Sequence, residues 1–136
     1  MIFHFEHGTM PGSLELAYLG DTLYDLYVRE HLVAGGGRVR SLHRKAVALV
    51  CAHAQSEALH RIEDGLSDAE ADVVRRARNT RQTPPRHADA GEYHRATALV
   101  ALIGWLYVTG QQKRMDEILS AALPAEIFED RSRRVA

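Results

Sequence analysis

The sequence predicts an all-α protein, a single helical bundle without a sheet, and three observations carry that prediction. Two long apolar segments, LELAYLGDTLYDLYVR at 14–29 and ATALVALIGWLYVTG at 96–110, have helical length and no sustained alternation of apolar with polar residues. Helix punctuation recurs between and around them, as capping boxes, glycine stops and a Pro-Pro break. Strand signals are few: there is no Asn-Gly hairpin turn, and Ala and Leu are in excess. At 136 residues the chain is one domain by size, large enough to close a single core.

Residues 1–12 read as an N-terminal arm ahead of one domain at 13–136. The start, MIFHFEHGTM, has no helical period and lacks the basic opening and long apolar run of a signal peptide. A native and a vector-encoded origin fit its composition equally. Pro11-Gly12-Ser13 opens the first helix, with Ser13 as the expected N-cap. That helix should run to about Val33 and stop at Gly35-Gly36-Gly37. A second helix is expected from about Ser41 to Asp64-Gly65, on a stripe of Leu42, Ala46, Leu49, Val50, Ala54 and Leu59. Ser67 and Glu70 form a capping box that starts a third helix over 68–79. Pro84-Pro85 cannot continue a helix, so TRQTPPRH is a loop. Asp89 with Glu92 forms a second box and starts a fourth helix over 90–109, stopped by Gly110. A fifth helix fits 112–122, a last turn or short helix follows Pro124, and the charged tail DRSRRVA is expected to fray.

Composition excludes several classes. The net charge of −1 gives no global basic field. The single cysteine, Cys51, rules out an internal disulfide and fits a reducing cytosol; a secreted protein without disulfides would look the same, and a cytoplasmic protein is expected. The longest nearly uncharged run, Ala96 to Gln112, is shorter than the ~20 apolar residues that cross a bilayer, and it reads instead as a helix buried on all sides. Eight histidines show no His-Glu-x-x-His and no zinc-type Cys/His spacing; His4 and His7 fall in the arm. Gly35-Gly36-Gly37 lacks the lysine and the preceding strand of a phosphate-cradling loop, and Cys51 lies in too apolar a run for a nucleophile.

Two groups of residues carry possible chemistry. Asp21 and Asp25 stand at i, i+4 on the first helix, about 6 Å apart along its axis. Paired carboxylates suit a hard, hydrated cation such as Mg²⁺; a solvated polar stripe fits the spacing as well. Asp21 is the sharper candidate, because an ionised carboxylate between Leu19 and Leu23 is costly to bury without a partner. The basic segment 75–87 holds Arg75, Arg76, Arg78, Arg81 and Arg86 around a Pro-rich loop, with Asn79 and His87. Such a set can track phosphates, or it can be a helix end with favourable C-terminal cations. Arg38, Arg40, Arg44 and Lys45 read as ordinary surface.

At these residues the chain resembles a known family. LAYLGDTLYDLYVR at 16–29 is similar to the signature helix of the ribonuclease III family, whose core reads Leu-Gly-Asp. HRKAVALVCAHAQ at 43–55, RRARN at 75–79 with PRHAD at 85–89, and EYHRATALVALIGWLYVTGQ at 92–111 follow in order, and together resemble the Mini-III branch, which has the endonuclease domain alone. The resemblance implies a homodimeric, Mg²⁺-dependent endoribonuclease that cuts double-stranded RNA and trims large-subunit ribosomal RNA precursors. It makes Asp21 the catalytic and metal-binding aspartate. It makes Arg75, Arg78, Asn79, Arg81 and Arg86 the RNA-binding loop. Leu19, Leu23, Tyr24 and Tyr27 become candidate dimer contacts. Leu14, Ala17 and Thr97 stand where larger members carry further carboxylates.

One departure stands out. The family's central helix reads Glu-Ala-Leu-Ile-Gly with the glutamate a metal ligand, and this chain reads Val100-Ala101-Leu102-Ile103-Gly104. Valine offers no oxygen, and a neutral Thr97 hydroxyl one turn earlier supplies little charge. The expectation is weakened Mg²⁺ binding and little or no cleavage, with duplex RNA still bound. A deliberate inactivating substitution and a natural loss of activity both account for Val100. The alternative is a non-catalytic helical module binding RNA or a ribosomal protein; a different helical metal hydrolase acting on nucleotides is weaker, because it needs several carboxylates at i, i+3 or i+4 on facing helices and the sequence does not supply them.

Overall fold

A computed structural model of the protein describes residues 9–127, which form helices α1 (Ser13–Gly35), α2 (Val39–Val50), α3 (Ala52–Ile62), α4 (Asp68–Arg78), α5 (Ala90–Val108) and α6 (Gln112–Ala122), with a 3-10 turn at Glu63–Gly65. No strand occurs among the described residues. His4, His7 and the tail at 130–136 lie outside them.

The core is built around α5. Its sequence is apolar on every side from Ala96 to Leu106, so it can satisfy its side chains only by being surrounded. Leu99, Leu102, Ile103, Leu106 and Val108 are fully buried. The other helices each contribute to it: Leu16, Tyr24 and Val28 from α1, Ala46 from α2, Leu59 and Ile62 from α3, Val74 and Ala77 from α4, Ile118 and Leu119 from α6. Burial, opposed by the Arg61 charge, raises the Tyr24 hydroxyl to about 12. That burial also excludes Tyr24 as a dimer contact, correcting the expectation above, whereas Leu19, Leu23 and Tyr27 are only partly buried.

Helices α1 and α5 approach each other closely. A Cβ on Gly20 would lie 1.6 Å from the Val100 carbonyl oxygen, so the glycine of Leu-Gly-Asp is required by contact between two backbones.

The second helix expected over 41–64 is two helices. Cys51 adopts extended backbone (φ −67°, ψ 161°), breaking the helix between α2 and α3. Its carbonyl then accepts the first α3 bond, from the Gln55 amide at 2.9 Å. The break lets α2 lie along α1 while α3 turns its face to α5. No proline or glycine marks it, so the continuous apolar stripe concealed it. Ser13 is not an N-cap but the first helical residue of α1. Gly12 occupies the cap and offers no side-chain bond. Gly36, at φ 80°, ends α1 in the left-handed region that favours glycine. The Ser67/Glu70 box on α4 is complete. At α5 only half of the expected box forms: Asp89 accepts from the Glu92 amide, while the Glu92 carboxylate turns to His53 Nδ1 at 2.6 Å.

Polar groups left inside are paired. Glu70, 3% exposed, receives Arg114 Nε and Nη2 at 2.8 and 2.9 Å. Arg61 Nη1 donates to the Ala122 carbonyl at 2.6 Å, capping the C-terminal end of α6.

Candidate active site

Where α1 crosses α5, a cavity of about 430 Å³ opens between α1, α3, α5 and the 79–89 loop. Asp21 from α1, Gln55 from α3, Gln82 from the loop, and Thr97 and Val100 from α5 all line it. Leu-Gly-Asp places Asp21 here for a physical reason. Gly20 lets the α1 backbone touch α5, and the next residue along α1 then emerges at the edge of the contact.

Asp21 is exposed at this cavity, not buried among the leucines that flank it in sequence. The desolvation cost expected from Leu19 and Leu23 therefore does not arise, because the i±2 neighbours of a helical residue point elsewhere. Gln55, 5% exposed, donates through Nε2 to Asp21 Oδ1 at 3.3 Å. Val100, 5% exposed, forms apolar wall. The Thr97 hydroxyl lies 3.0 Å from the Tyr93 carbonyl and 3.3 Å from Gln82 Oε1. Gln82 Nε2 lies 3.2 Å from His94 Nδ1; an amide nitrogen only donates, so Nδ1 is the acceptor. Gln82 thus straps the Pro-rich loop to α5 at the mouth of the cavity.

Asp25 is not brought to the cavity. It accepts from Arg29 Nε at 3.0 Å, one helical turn on. The arginines divide into two kinds. Arg75 and Arg76 both pair with Asp72, at 2.5 and 3.0 Å, and the Arg75 hydrogen bond holds the Asp72 carboxyl below its ordinary range. Arg78, Arg81 and Arg86 are exposed and have no acidic partner among the described residues, and Asn79 is exposed beside them. Arg81 immediately precedes Gln82, so the loop carries uncompensated charge to the cavity's edge.

The donors at this cavity fit a hard, hydrated cation. They are oxygens or amides, with no thiolate or imidazole among the cavity residues. They supply one carboxylate only, and no cluster of three His, Cys, Asp or Glu suited to a metal occurs among the described residues. Gln55 and Gln82 escaped the sequence reading. For Gln55 the signal was a carboxamide on the apolar face of a helix, unfavourable without a polar partner; Gln82, in the Pro-rich loop, carried no such signal.

A family model described as Ribonuclease III domain matches residues 14–111. The chain is similar to a Mini-ribonuclease 3 of Symbiobacterium thermophilum, 47% identical over 116 residues that cover 84% of this chain and 88% of that protein. It is similar to a Mini-ribonuclease 3 of Thermoanaerobacter sp., 40% identical with 86% and 82% covered. Among solved structures, the X-ray crystal structure of a protein from Fusobacterium nucleatum matches with a TM-score of 0.75 at 32% identity, covering 79% of this chain and 84% of that one.

Proposed function

The chain belongs to the ribonuclease III family, and from that premise we propose that it is a Mini-III-type protein that binds double-stranded RNA and cleaves it very poorly, because Val100 lines the same cavity as Asp21 and offers no oxygen. The observation that carries this is the shared cavity of Asp21 and Val100. A carboxylate at position 100 would stand on the α5 wall of the space that Asp21 borders, and with valine there Asp21 is the only acid lining it among the described residues.

The residues have distinct tasks. Arg78, Arg81 and Arg86, with Asn79, hold the phosphate backbone and read shape more than sequence. Arg75 shares its charge with Asp72 and contributes less. Asp21 is the charged oxygen donor, and Gln55 fixes its orientation. When bound, Mg²⁺ supplies charge stabilisation at the phosphate oxygens and an oriented water. The partly exposed leucines of α1, Leu19, Leu23 and Leu26, provide an apolar face for a homodimer. No helix among the described residues is long and apolar enough to cross a membrane. A cytoplasmic role on large-subunit ribosomal RNA precursors follows the family resemblance. The apolar wall at Val100 also favours a second reading, a non-catalytic RNA-binding module.

Labelled duplex RNA incubated with this chain and with Val100→Glu, with and without Mg²⁺, separates these readings. Little cleavage by the first and Mg²⁺-dependent cleavage by the second is expected. A Val100→Glu protein that binds duplex but stays inert with Asp21 intact would falsify the site assignment.

A further inference from the structure

Gln55 sits where a ligand would sit. It is buried, it lines the same cavity as Asp21, and its amide group is directed at the aspartate carboxylate. We propose that Gln55 is the second protein ligand of the divalent cation at Asp21, through its Oε1, in place of the oxygen that Val100 lacks. This rests on the reading of Asp21 as the cation's carboxylate.

Three observations support the assignment. The first is distance. Two oxygens on adjacent corners of an octahedral Mg²⁺ shell, each bonded at 2.0–2.1 Å, stand about 3 Å apart. The Gln55 amide already places an atom 3.3 Å from Asp21 Oδ1. The second is chemistry. That atom is Nε2, and a half-turn of the terminal torsion exchanges it for Oε1, with nearly the same shape. The amide nitrogen suits the empty site, because it donates to the carboxylate. The amide oxygen suits the filled site, because amide carbonyls are accepted ligands of hard cations. The third is the commitment of other groups. The Thr97 hydroxyl faces the Tyr93 carbonyl and Gln82 Oε1, Asp25 is held by Arg29, and Val100 has no donor. Gln55 brings no charge, so the cation keeps most of its waters and binds weakly.

Mn²⁺ is the probe, with free ion counted by electron spin resonance during titration of the full chain and three variants. Wild type should bind one weak equivalent. Asp21→Asn should lose it, and Gln55→Leu should weaken it by roughly tenfold. Gln55→Glu should tighten it by about tenfold or more, because ligand charge sets affinity. If Asp21→Asn loses binding while Gln55→Leu matches wild type, the Gln55 assignment is overturned and the Asp21 site stands. Unchanged binding in Asp21→Asn overturns the underlying site and the inference with it, as does undetectable binding by wild type. Should Gln55→Leu fail to fold, Gln55→Glu decides alone, and no tightening counts against the proposal.

Discussion

Gly20 and Gly104 are set back to back where α1 crosses α5, and neither has room for a methyl group. A Cβ on Gly104 would stand 2.1 Å from the Leu16 carbonyl oxygen and 3.3 Å from the Gly20 amide nitrogen. Both obstacles are backbone, so no side chain can swing aside. The crossing fixes Asp21 relative to Thr97 and Val100 before any side chain of the cavity is chosen.

Gly104→Ala is therefore expected to destabilise, although alanine is the better helix former by about 1 kcal/mol. Parting two packed helices outweighs that gain, leaving a net loss of about 2–3 kcal/mol. Thermal unfolding should show a Tm lower by roughly 10 °C. A Tm within a degree of wild type would mean the helices are not in contact there.

Val100→Glu should destabilise the cation-free protein by about 1–3 kcal/mol, because it sets a carboxylate at a buried position. Added Mg²⁺ should return part of that loss by binding the folded state alone. Thermal shift with and without Mg²⁺ measures this. A variant indifferent to Mg²⁺ would place residue 100 outside any cation site.

Arg78→Ala and Arg81→Ala should weaken duplex RNA binding and lower the slope of log affinity against log salt by about 1 each. Arg75→Ala should change the slope less, since Asp72 already pairs with Arg75. Equal slopes in all three would remove the distinction between paired and unpaired arginines.

The Arg114 hydrogen bonds hold the Glu70 carboxyl below its ordinary range, against the opposing effect of burial. A depressed folded pKa gives stability that is present above the unfolded value of ~4.3 and lost as pH falls through the folded one. Glu70→Gln should cost about 2 kcal/mol at neutral pH. Urea titrations should show the gap between the two proteins closing below about pH 4. A gap independent of pH would show that packing, not charge, is what Glu70 supplies.

The Glu92 carboxylate, through its hydrogen bond and then its charge, raises the His53 pKa. For a raised pKa the stabilisation is complete below the unfolded value of ~6.5 and fades as pH climbs through the folded one. The link between the first turns of α3 and α5 should then loosen above that point. In Glu92→Gln the His53 proton resonances should titrate at lower pH, and an unshifted titration would remove the pair.

Much of the fold could be read from local signals. The Ser67/Glu70 box, the Gly36 stop and the almost wholly apolar 96–106 segment each announce their structure within a few residues. What could not be read were choices made by distant partners. Glu92 abandons its box because His53, 39 residues away in sequence, comes within reach. The α2–α3 break at Cys51 has no local mark, since it lets α2 pack on α1 and α3 on α5.

The sequence by itself determined that this chain is a helical bundle built on a Leu-Gly-Asp helix, and that valine stands where its resemblance places an acid. It did so because helix caps, breakers and apolar periodicity are local properties. Only the tertiary structure decided that Asp21 meets solvent instead of the leucines beside it, and that Gln55 and Gln82 join it at one cavity. Those facts depend on which helix faces cross, and crossing is set by long-range packing that no single segment encodes.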